Sequence, residues 1–99
     1  MRLGKLGFST VGFVFVELAR QALAAVRQFE EGVRACPNVR ECSALSGEAD
    51  FLLKCVSQDA RSLEDFVQGT IAQMPGVESV KTAIVLRGSQ KHADMLRRP

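Results

Sequence analysis

The first apolar segment of the chain spans residues 9–18 and consists mainly of Val, Phe and Thr. Such a run of β-branched and aromatic residues predicts a strand. Its side chains do not alternate between apolar and polar. Because successive side chains of a strand point to opposite faces, this segment has two apolar sets, Val11, Phe13 and Phe15 on one face and Val14 and Val16 on the other. A strand that is apolar on both faces is expected to be covered on both.

Two later segments show helical periodicity instead. Between residues 22 and 36 the apolar positions recur at helical spacing, and Pro37 ends the pattern because a proline disfavours helical backbone in the residue before it. The stripe of this helix is Leu23, Val26, Phe29 or Glu30, Val33 and Cys36. A second helix is predicted after the candidate N-cap residues 57–59 and ends at the Met-Pro-Gly-Val sequence 74–77. Its stripe is Leu63, Phe66, Val67, Ile71 and Met74.

Three further strands complete the pattern. Residues 39–45 and 50–56 read as a hairpin around the turn 46–49, and residues 77–86 read as the last strand. The predicted order is therefore β-α-β-β-α-β. Right-handed crossovers then place both helices on one face of a four-stranded antiparallel sheet, which is a ferredoxin-like α+β sandwich.

Two helices cover only one face of such a sheet, so apolar residues on the other face need a different cover. Besides residues of the first strand, we expect Leu45, Leu52, Val56 and either Val80 or Val85 on this uncovered face. An exposed apolar patch of that extent is rare on a monomer, and a twofold dimer is the most common cover. Val14 is assigned to the same face, so Val14→Lys is expected to impair dimerisation. The alternatives are that these residues lie at strand ends or that the C-terminal arm folds back over the sheet.

The composition fits one globular domain over residues 1–99, with a core at about 8–87 and a basic arm at 88–99. A net charge of +2 provides no general basic surface for nucleic acid. Trp and Tyr are absent and His92 is the single histidine, so we predict no catalytic residue, metal site or cofactor. No apolar run is long enough to span a membrane, and no convincing signal-peptide cleavage site is present, so a cytoplasmic protein is expected.

The three cysteines, Cys36, Cys42 and Cys55, form neither a C-x-x-C pair nor an even-numbered set. A disulfide framework or a zinc site is therefore not expected. We predict buried, neutral thiols, with Cys42 and Cys55 on the helix-packed face of the hairpin. None of them is predicted to act as a nucleophile.

The hairpin carries the most informative polar residues. Gly47 can adopt a positive φ in the turn, and Ser46, Glu48 and Asp50 place oxygen atoms beside backbone amides. A ligand with an ammonium and a carboxylate group would find both acceptors and donors there. The alternative is that Gly47 only forms the turn and Asp50 only caps nearby backbone groups.

The chain resembles the C-terminal effector-sensing (RAM) domain of the leucine-responsive/asparagine-responsive (Lrp/AsnC) family of transcriptional regulators. The similarity extends from residue 6 to about residue 96. It rests on five motifs in register: Leu-Gly at 6–7, Pro-x-Val-x-Glu-Cys at 37–42, Ser-Gly-x-x-Asp-x-x-Leu-Lys at 46–54, Met-Pro-Gly-Val at 74–77 and Thr-x-Ile-Val-Leu at 82–86. Members of this family normally begin with a helix-turn-helix domain, and nothing before Gly7 resembles one. We therefore expect either a stand-alone module or part of a longer regulator, with no direct DNA binding by this chain alone.

The resemblance implies a homodimer formed through the sheets, and dimers of such proteins often assemble into octameric rings or other oligomers. It also implies that a small effector, commonly an amino acid, binds near the hairpin. By position, Ser46, Gly47, Glu48 and Asp50 would line the effector cleft, and Thr82 is a further candidate on the last strand. Ser46 stands where the family motif usually has threonine, so the identity of the effector is not implied.

Two other functions are compatible with this order of elements. A small dimeric α/β-barrel enzyme acting on reactive aromatic or polyketide-like substrates would need suitable side chains in its pocket. This chain has no Tyr or Trp, and its histidine lies in the tail. An ACT-like amino-acid sensor has the same element order but a different ligand-loop pattern, and the spacing from Gly47 to Asp50 fits the Lrp/AsnC motif better.

Overall fold

The computed structural model describes residues 10–47 and 49–86. Within these ranges the elements follow the predicted β-α-β-β-α-β order. The strands are β1 (Thr10–Leu18), β2 (Val39–Ala44), β3 (Phe51–Ser57) and β4 (Val77–Ile84). The helices are α1 (Leu23–Arg34) and α2 (Ala60–Phe66), and a π-helical turn at Val67–Ile71 continues α2.

The strands form one sheet in the order β2-β3-β1-β4. Every neighbouring pair is antiparallel, and Phe15 of β1 lies opposite Leu52 of β3 on one side and Lys81 of β4 on the other. This topology confirms the predicted ferredoxin-like fold. β1 is central, which agrees with a sequence that is apolar on both faces.

Both helices pack on the same face of the sheet. The buried core between them and the strands consists of Val14, Val16, Leu18, Phe29, Val33, Phe51, Leu53, Cys55, Leu63, Val67 and Ile71. The rings of Phe29 and Phe51 join α1 to β3, with centroids 5.0 Å apart. Gly12 allows α2 to approach β1 closely, because a Cβ atom there would collide with the Leu63 side chain.

The start of α1 and the end of β4 explain two differences from the sequence-based expectation. Leu23 was expected in the apolar stripe of α1 but is 64% exposed, because it is the first residue of that helix. Leu86 was expected in the last strand but is 93% exposed, because β4 ends at Ile84. The start of α2 agrees with the prediction, since Asp59 accepts a hydrogen bond of 2.7 Å from the Ser62 amide. Across residues 10–47 and 49–86, no helix has the length and apolar character needed to cross a membrane.

The sheet face opposite the helices is called the helix-free face below. Pairing between the strands places there Val11, Phe13, Phe15 and Glu17 of β1, Leu52, Lys54 and Val56 of β3, and Ser79, Lys81 and Ala83 of β4. Leu45 and Val85 extend this set at the ends of the strands. Phe15 and Leu45 are each 37% exposed and Val85 is 39% exposed. An apolar surface on this face is therefore present, as predicted.

The structure corrects one expectation about this face, settles one alternative and adds one detail. The assignment of Val14 to it was wrong: Val14 is completely buried in the helix-side core, because strand alternation places it with Val16 and not with Phe15. Val80 lies opposite Val16 and faces the helices, so Val85 is the residue on the helix-free face. Val56 does lie on that face, but only 2% of it is exposed, so it adds almost nothing to the apolar surface.

The cysteines also differ from one another. Cys55 is buried in the core, as predicted. Cys42 lies opposite Leu53 on the helix-side face but is exposed, because β2 is an edge strand that the helices leave largely uncovered. Cys36 is half-buried, and its thiol donates to the carbonyl of Gly32. The prediction that all three are buried was therefore wrong for Cys42.

Candidate functional site

Backbone hydrogen bonds fix the turn between β2 and β3 and attach it to β1. Gly47 has a φ of +132°, a region that L side chains rarely adopt, which is the role predicted for this glycine. The amide of Leu45 donates to the carbonyl of Asp50 at 2.9 Å and closes the turn. The amide of Asp50 donates in turn to the carbonyl of Val16, also at 2.9 Å. The hairpin is thereby attached to the end of the central strand β1.

The carboxylate of Asp50 strengthens the same attachment. One oxygen, Oδ2, accepts a hydrogen bond of 2.7 Å from the Leu18 amide, and Oδ1 accepts one of 2.9 Å from Nε2 of Gln21. Asp50 thus caps a backbone amide, but not the nearby backbone that was considered, because the Leu18 amide belongs to β1 and lies 32 residues away in sequence. Asp50 determines how the hairpin sits against β1.

A cavity of about 520 Å³ lies beside this attachment and is called the hairpin cleft below. It is lined by Phe15, Glu17, Leu45, Ser46, Ala49, Ser79 and Lys81. The lining thus comes from β1, the hairpin and β4, and it lies on the helix-free face. A cleft of this size with an apolar floor and a few polar groups is typical of small-molecule sites.

The polar groups of the hairpin cleft are paired across two strands. Glu17 lies opposite Ser79, and the Ser79 hydroxyl donates to Oε1 of Glu17 at 2.7 Å. Lys81 lies opposite Phe15, so its side chain is on the same face as that of Glu17. The cleft therefore combines one carboxylate, one ammonium group and two hydroxyl groups with an apolar surface.

The residues predicted from the sequence occupy different places relative to this cleft. Ser46 lines it directly, Gly47 forms the adjacent turn, and Asp50 fixes the hairpin that forms one of its walls. Thr82 lies opposite Val14 on the helix-side face, so the structure does not bring it together with the other residues. Glu48 lies outside the described residues, as does the C-terminal arm.

Glu17 and Lys81 were not identified from the sequence. Glu17 does interrupt the apolar run of β1, and this interruption was the available signal. Its significance depends on the register between β1 and β4, which brings Glu17 and Lys81 to one face. A shift of one residue would separate them, and the residue pattern of each strand alone does not show which residues of β1 and β4 lie opposite each other.

A second cavity of about 350 Å³ lies between α1 and the edge strand β2. Its lining is mostly charged and consists of Glu30, Val33, Arg34, Val39, Arg40, Glu41 and Cys42. None of these residues belongs to the hairpin turn. The hairpin cleft is the better candidate because it combines an apolar floor with polar groups from three elements.

The thiols provide no reactive group near either cavity. Partial desolvation raises the pKa of the half-buried Cys36 and of Cys42, whose surface remains exposed, and the nearby Glu30 raises the pKa of Cys42 further while Arg34 opposes that effect. Burial, with smaller contributions from Cys36 and Cys42, raises the pKa of Cys55 to about 12. A thiol with a raised pKa keeps its proton at neutral pH and is a poor nucleophile. In the described part of the chain, no group of three or more His, Cys, Asp or Glu side chains is placed to hold a metal ion.

Comparison with solved structures supports the fold. A transcriptional regulator of Neisseria meningitidis, solved as its complex with L-methionine, superimposes with a TM-score of 0.82 at 29% identity. That match covers 91% of this chain and 58% of the other. AsnC of Escherichia coli has a TM-score of 0.77 at 17% identity, over 89% of this chain and 58% of the other, which shows a shared fold.

Comparison with sequences supports a family. The leucine-responsive regulatory protein of Rhizobium meliloti (strain 1021) is 37% identical over 82 residues, which are 83% of this chain and 53% of that protein. The chain thus spans about half the length of the curated relatives it matches. The family model described as the Lrp/AsnC ligand binding domain matches residues 11–94. This match includes all four strands, both helices and the hairpin cleft, and the chain belongs to the Lrp/AsnC ligand-binding-domain family.

Proposed function

We propose that this chain is an effector-binding and oligomerisation module of an Lrp/AsnC-type transcriptional regulator, that its effector is an amino acid, and that the effector binds in the hairpin cleft. The observation that carries the proposal is the composition of this cleft, which places opposite charges beside Phe15, Leu45 and Ala49. The relatives named above are transcriptional regulators, and the Neisseria meningitidis protein was solved with L-methionine. We propose neither an enzymatic activity nor direct DNA binding for this chain itself.

The chemistry of the hairpin cleft suits a free amino acid. An amino-acid zwitterion carries an ammonium and a carboxylate group on the same carbon atom, and Glu17 and Lys81 offer the complementary charges. Charge-assisted hydrogen bonds are about twice as strong as those between neutral groups. The apolar part of the lining would accept an uncharged side chain. We expect Ser46 to contribute a hydroxyl group, and Gly47 and Asp50 to maintain the shape of the hairpin.

We further propose that a second copy of the chain covers the helix-free face. Phe15, Leu45 and Val85 are each more than one third exposed on that face. Glu17 and Lys81 line the hairpin cleft on the same face, so we propose that the second copy, related by a twofold axis, covers the apolar part of the face. The predicted homodimer would bury apolar surface and leave these two charges to the effector.

Effector binding and assembly share residues in this proposal. Phe15 belongs both to the hairpin cleft and to the apolar surface that a second copy would cover. A ligand that binds one state of assembly better than another shifts the population towards that state. We therefore expect the effector to change the distribution between dimers and larger assemblies.

The proposal is tested by thermal-shift screening against the twenty amino acids, with L-methionine measured first. Ligand at 100 times its Kd stabilises a folded state by about 2.7 kcal/mol, which raises the Tm of a domain of this size by about 10 °C or more. Light scattering with and without the best ligand measures the change in assembly. A wild-type protein that responds to none of the twenty would contradict the proposal.

A pair of variants locates the site. Ala49→Phe fills the hairpin cleft and is expected to abolish the thermal response, because the added ring occupies the space of the ligand. Ala24→Phe adds the same ring at an exposed position of α1 and should leave the response intact. Retention of the full response by Ala49→Phe would place the ligand elsewhere. An assembly distribution that the ligand does not change would contradict the proposed linkage.

A further inference from the structure

The two charged side chains of the hairpin cleft meet across the seam between β1 and β4. Phe15 lies opposite Lys81 and Glu17 lies opposite Ser79, so Glu17 and Lys81 are diagonal neighbours on one face. Diagonal neighbours in an antiparallel pair are about 7–8 Å apart, within reach of long side chains. One small ligand can therefore contact both charges at once.

The carboxylate of Glu17 is oriented but retains bonding capacity. Oε1 accepts the hydrogen bond from the Ser79 hydroxyl. A carboxylate has about four acceptor sites, so a ligand ammonium group can bind the same side chain. Ser79 also lines the cleft, so this hydrogen bond holds the carboxylate at the cleft wall.

Asp50 differs from Glu17 in what its oxygens contact. Both oxygens of Asp50 accept hydrogen bonds from the chain itself, from the Leu18 amide and the Gln21 side chain. Leu18 directly follows Glu17, so Asp50 fixes the backbone next to the cleft carboxylate. Asp50 is absent from the cleft lining. Its effect on a ligand is therefore transmitted through β1.

We propose that Glu17 binds the ammonium group of the effector, that Lys81 binds its carboxylate, and that Asp50 is a positioning residue. The effector class is a free zwitterionic amino acid whose uncharged side chain packs against Phe15, Leu45 and Ala49. This assignment rests on the proposed effector-binding function. It places recognition of both charged groups on β1 and β4, outside the hairpin turn.

Isothermal titration with three ligands tests the assignment. L-methionine carries both groups, L-methioninamide lacks the carboxylate, and N-acetyl-L-methionine lacks the ammonium group. If screening identifies a different amino acid, its own amide and N-acetyl derivatives replace these. Loss of a hydrogen bond to a charged group weakens binding by at least about 10-fold.

Each variant of Glu17 or Lys81 is expected to lose affinity only for ligands that carry the charged group its altered side chain would bind. Lys81→Gln is expected to weaken binding of L-methionine by at least about 10-fold and to leave the affinity for the amide unchanged. Glu17→Gln is expected to weaken binding of L-methionine and of the amide by similar factors, and to leave the affinity for the N-acetyl compound unchanged. Asp50→Asn should weaken all three ligands by one common factor, as a positioning residue would.

Two control variants remove matched charges outside the cleft. Lys54→Gln acts on the helix-free face, and Glu64→Gln acts at an exposed position of α2; both should bind L-methionine within about twofold of wild type. Circular dichroism and light scattering check that all variants fold and assemble as wild type does.

The outcomes separate the two proposals. If wild type binds an amino acid while Glu17→Gln and Lys81→Gln bind all three ligands as wild type does, the assignment is overturned and the proposed function stands. If each of those two variants loses the same factor of affinity for all three ligands, the assignment is also overturned, because neither side chain would then be linked to a particular ligand group. If wild type binds none of the twenty amino acids, both proposals are overturned.

Discussion

The two faces of the sheet are built from the same strands but differ in chemistry. On the helix side, β1 presents Val14 and Val16, which are fully buried against both helices. On the helix-free side, the same strand presents Phe15, which is 37% exposed, and the charged residue Glu17. The helix-side residues Val14 and Val16 are apolar and closely packed, whereas the helix-free face mixes apolar, charged and hydroxyl groups around a cavity.

This difference separates folding from recognition within single strands. The helix-side residues obtain their burial inside the chain, so their contribution to stability needs no partner. In our proposal, the residues of the helix-free face gain further burial when a ligand or a second copy binds. Side chains alternate along a strand, so neighbouring positions are expected to respond differently to the same substitution. A substitution on the helix side should lower stability, and one on the helix-free side should weaken association.

The largest expected effect tests this contrast at two adjacent residues. Val14→Lys places an ammonium group in the helix-side core, where Val14 is completely buried. Burial of an unpaired charge is among the most costly substitutions, and we expect a loss of more than about 4 kcal/mol, enough to unfold a domain of this size. Phe15→Lys places the same charge on the helix-free face and should leave a folded protein that does not form the proposed dimer.

Circular dichroism and light scattering distinguish these two results. A Val14→Lys protein that is folded but monomeric would show that the two faces had been exchanged. If wild type is a dimer in solution and the Phe15→Lys protein has the same mass, the helix-free face is not where the second copy binds.

A smaller effect is expected where β1 approaches α2. Gly12→Ala adds a methyl group that collides with the side chain of Leu63, which is itself completely buried. Overpacking of this kind typically costs about 1–3 kcal/mol. The matched control is Gly69→Ala in the π-helical turn, where an added Cβ has no neighbour within 4 Å. Chemical denaturation should show a lower free energy of unfolding for the first variant, and an unchanged or slightly higher one for the second. Equal values for both would mean that the close approach of α2 to β1 contributes nothing.

How much the sequence could predict depended on the range of the interactions. Helical periodicity and turn residues are local signals, and they predicted all six main elements and their order. Assigning each side chain to one face of the sheet required the register between neighbouring strands, which is not a local signal. Alternation gave the two sets of side chains in β1, but only pairing with β3 and β4 showed that Val14 belongs to the helix side and that Val85, not Val80, belongs to the other.

For the candidate site, too, the residues close together in sequence were predicted and those brought together by strand pairing were not. Ser46 and Gly47 belong to one continuous motif, and they lie in or beside the hairpin cleft. Glu17 and Lys81 are 64 residues apart, and only the pairing of β1 with β4 brings them together. Cys42 was placed on the correct face, but its exposure depends on how far the helices extend over the edge strand β2, which residue spacing does not encode.

The smallest expected effect is a change in stability in acid. It is measured by comparing two aspartates that have different partners. Asp59 caps α2, and the Ser62 amide lowers the pKa of its carboxyl group in the folded protein. A group with a lowered folded-state pKa stabilises the protein above its unfolded-state pKa, and this contribution is lost as the pH falls through the folded-state value. Asp59→Asn retains an effective cap without titrating. We therefore expect its free energy of unfolding to resemble that of wild type near neutral pH and to fall less steeply in acid, below about pH 4.

Asp59→Asn should also leave amino-acid binding unchanged, because the cap lies on the helix side and contacts no residue of the hairpin cleft. Asp50→Asn should reduce binding, because its carboxylate attaches the hairpin to β1 beside Glu17. Denaturation curves between pH 3 and pH 7 and titration with the effector measure the two effects independently, with the pH range set by the carboxyl pKa of about 4. Equal losses of binding in the two variants would mean that the effector responds to general stability, and that the attachment of the hairpin has no special role.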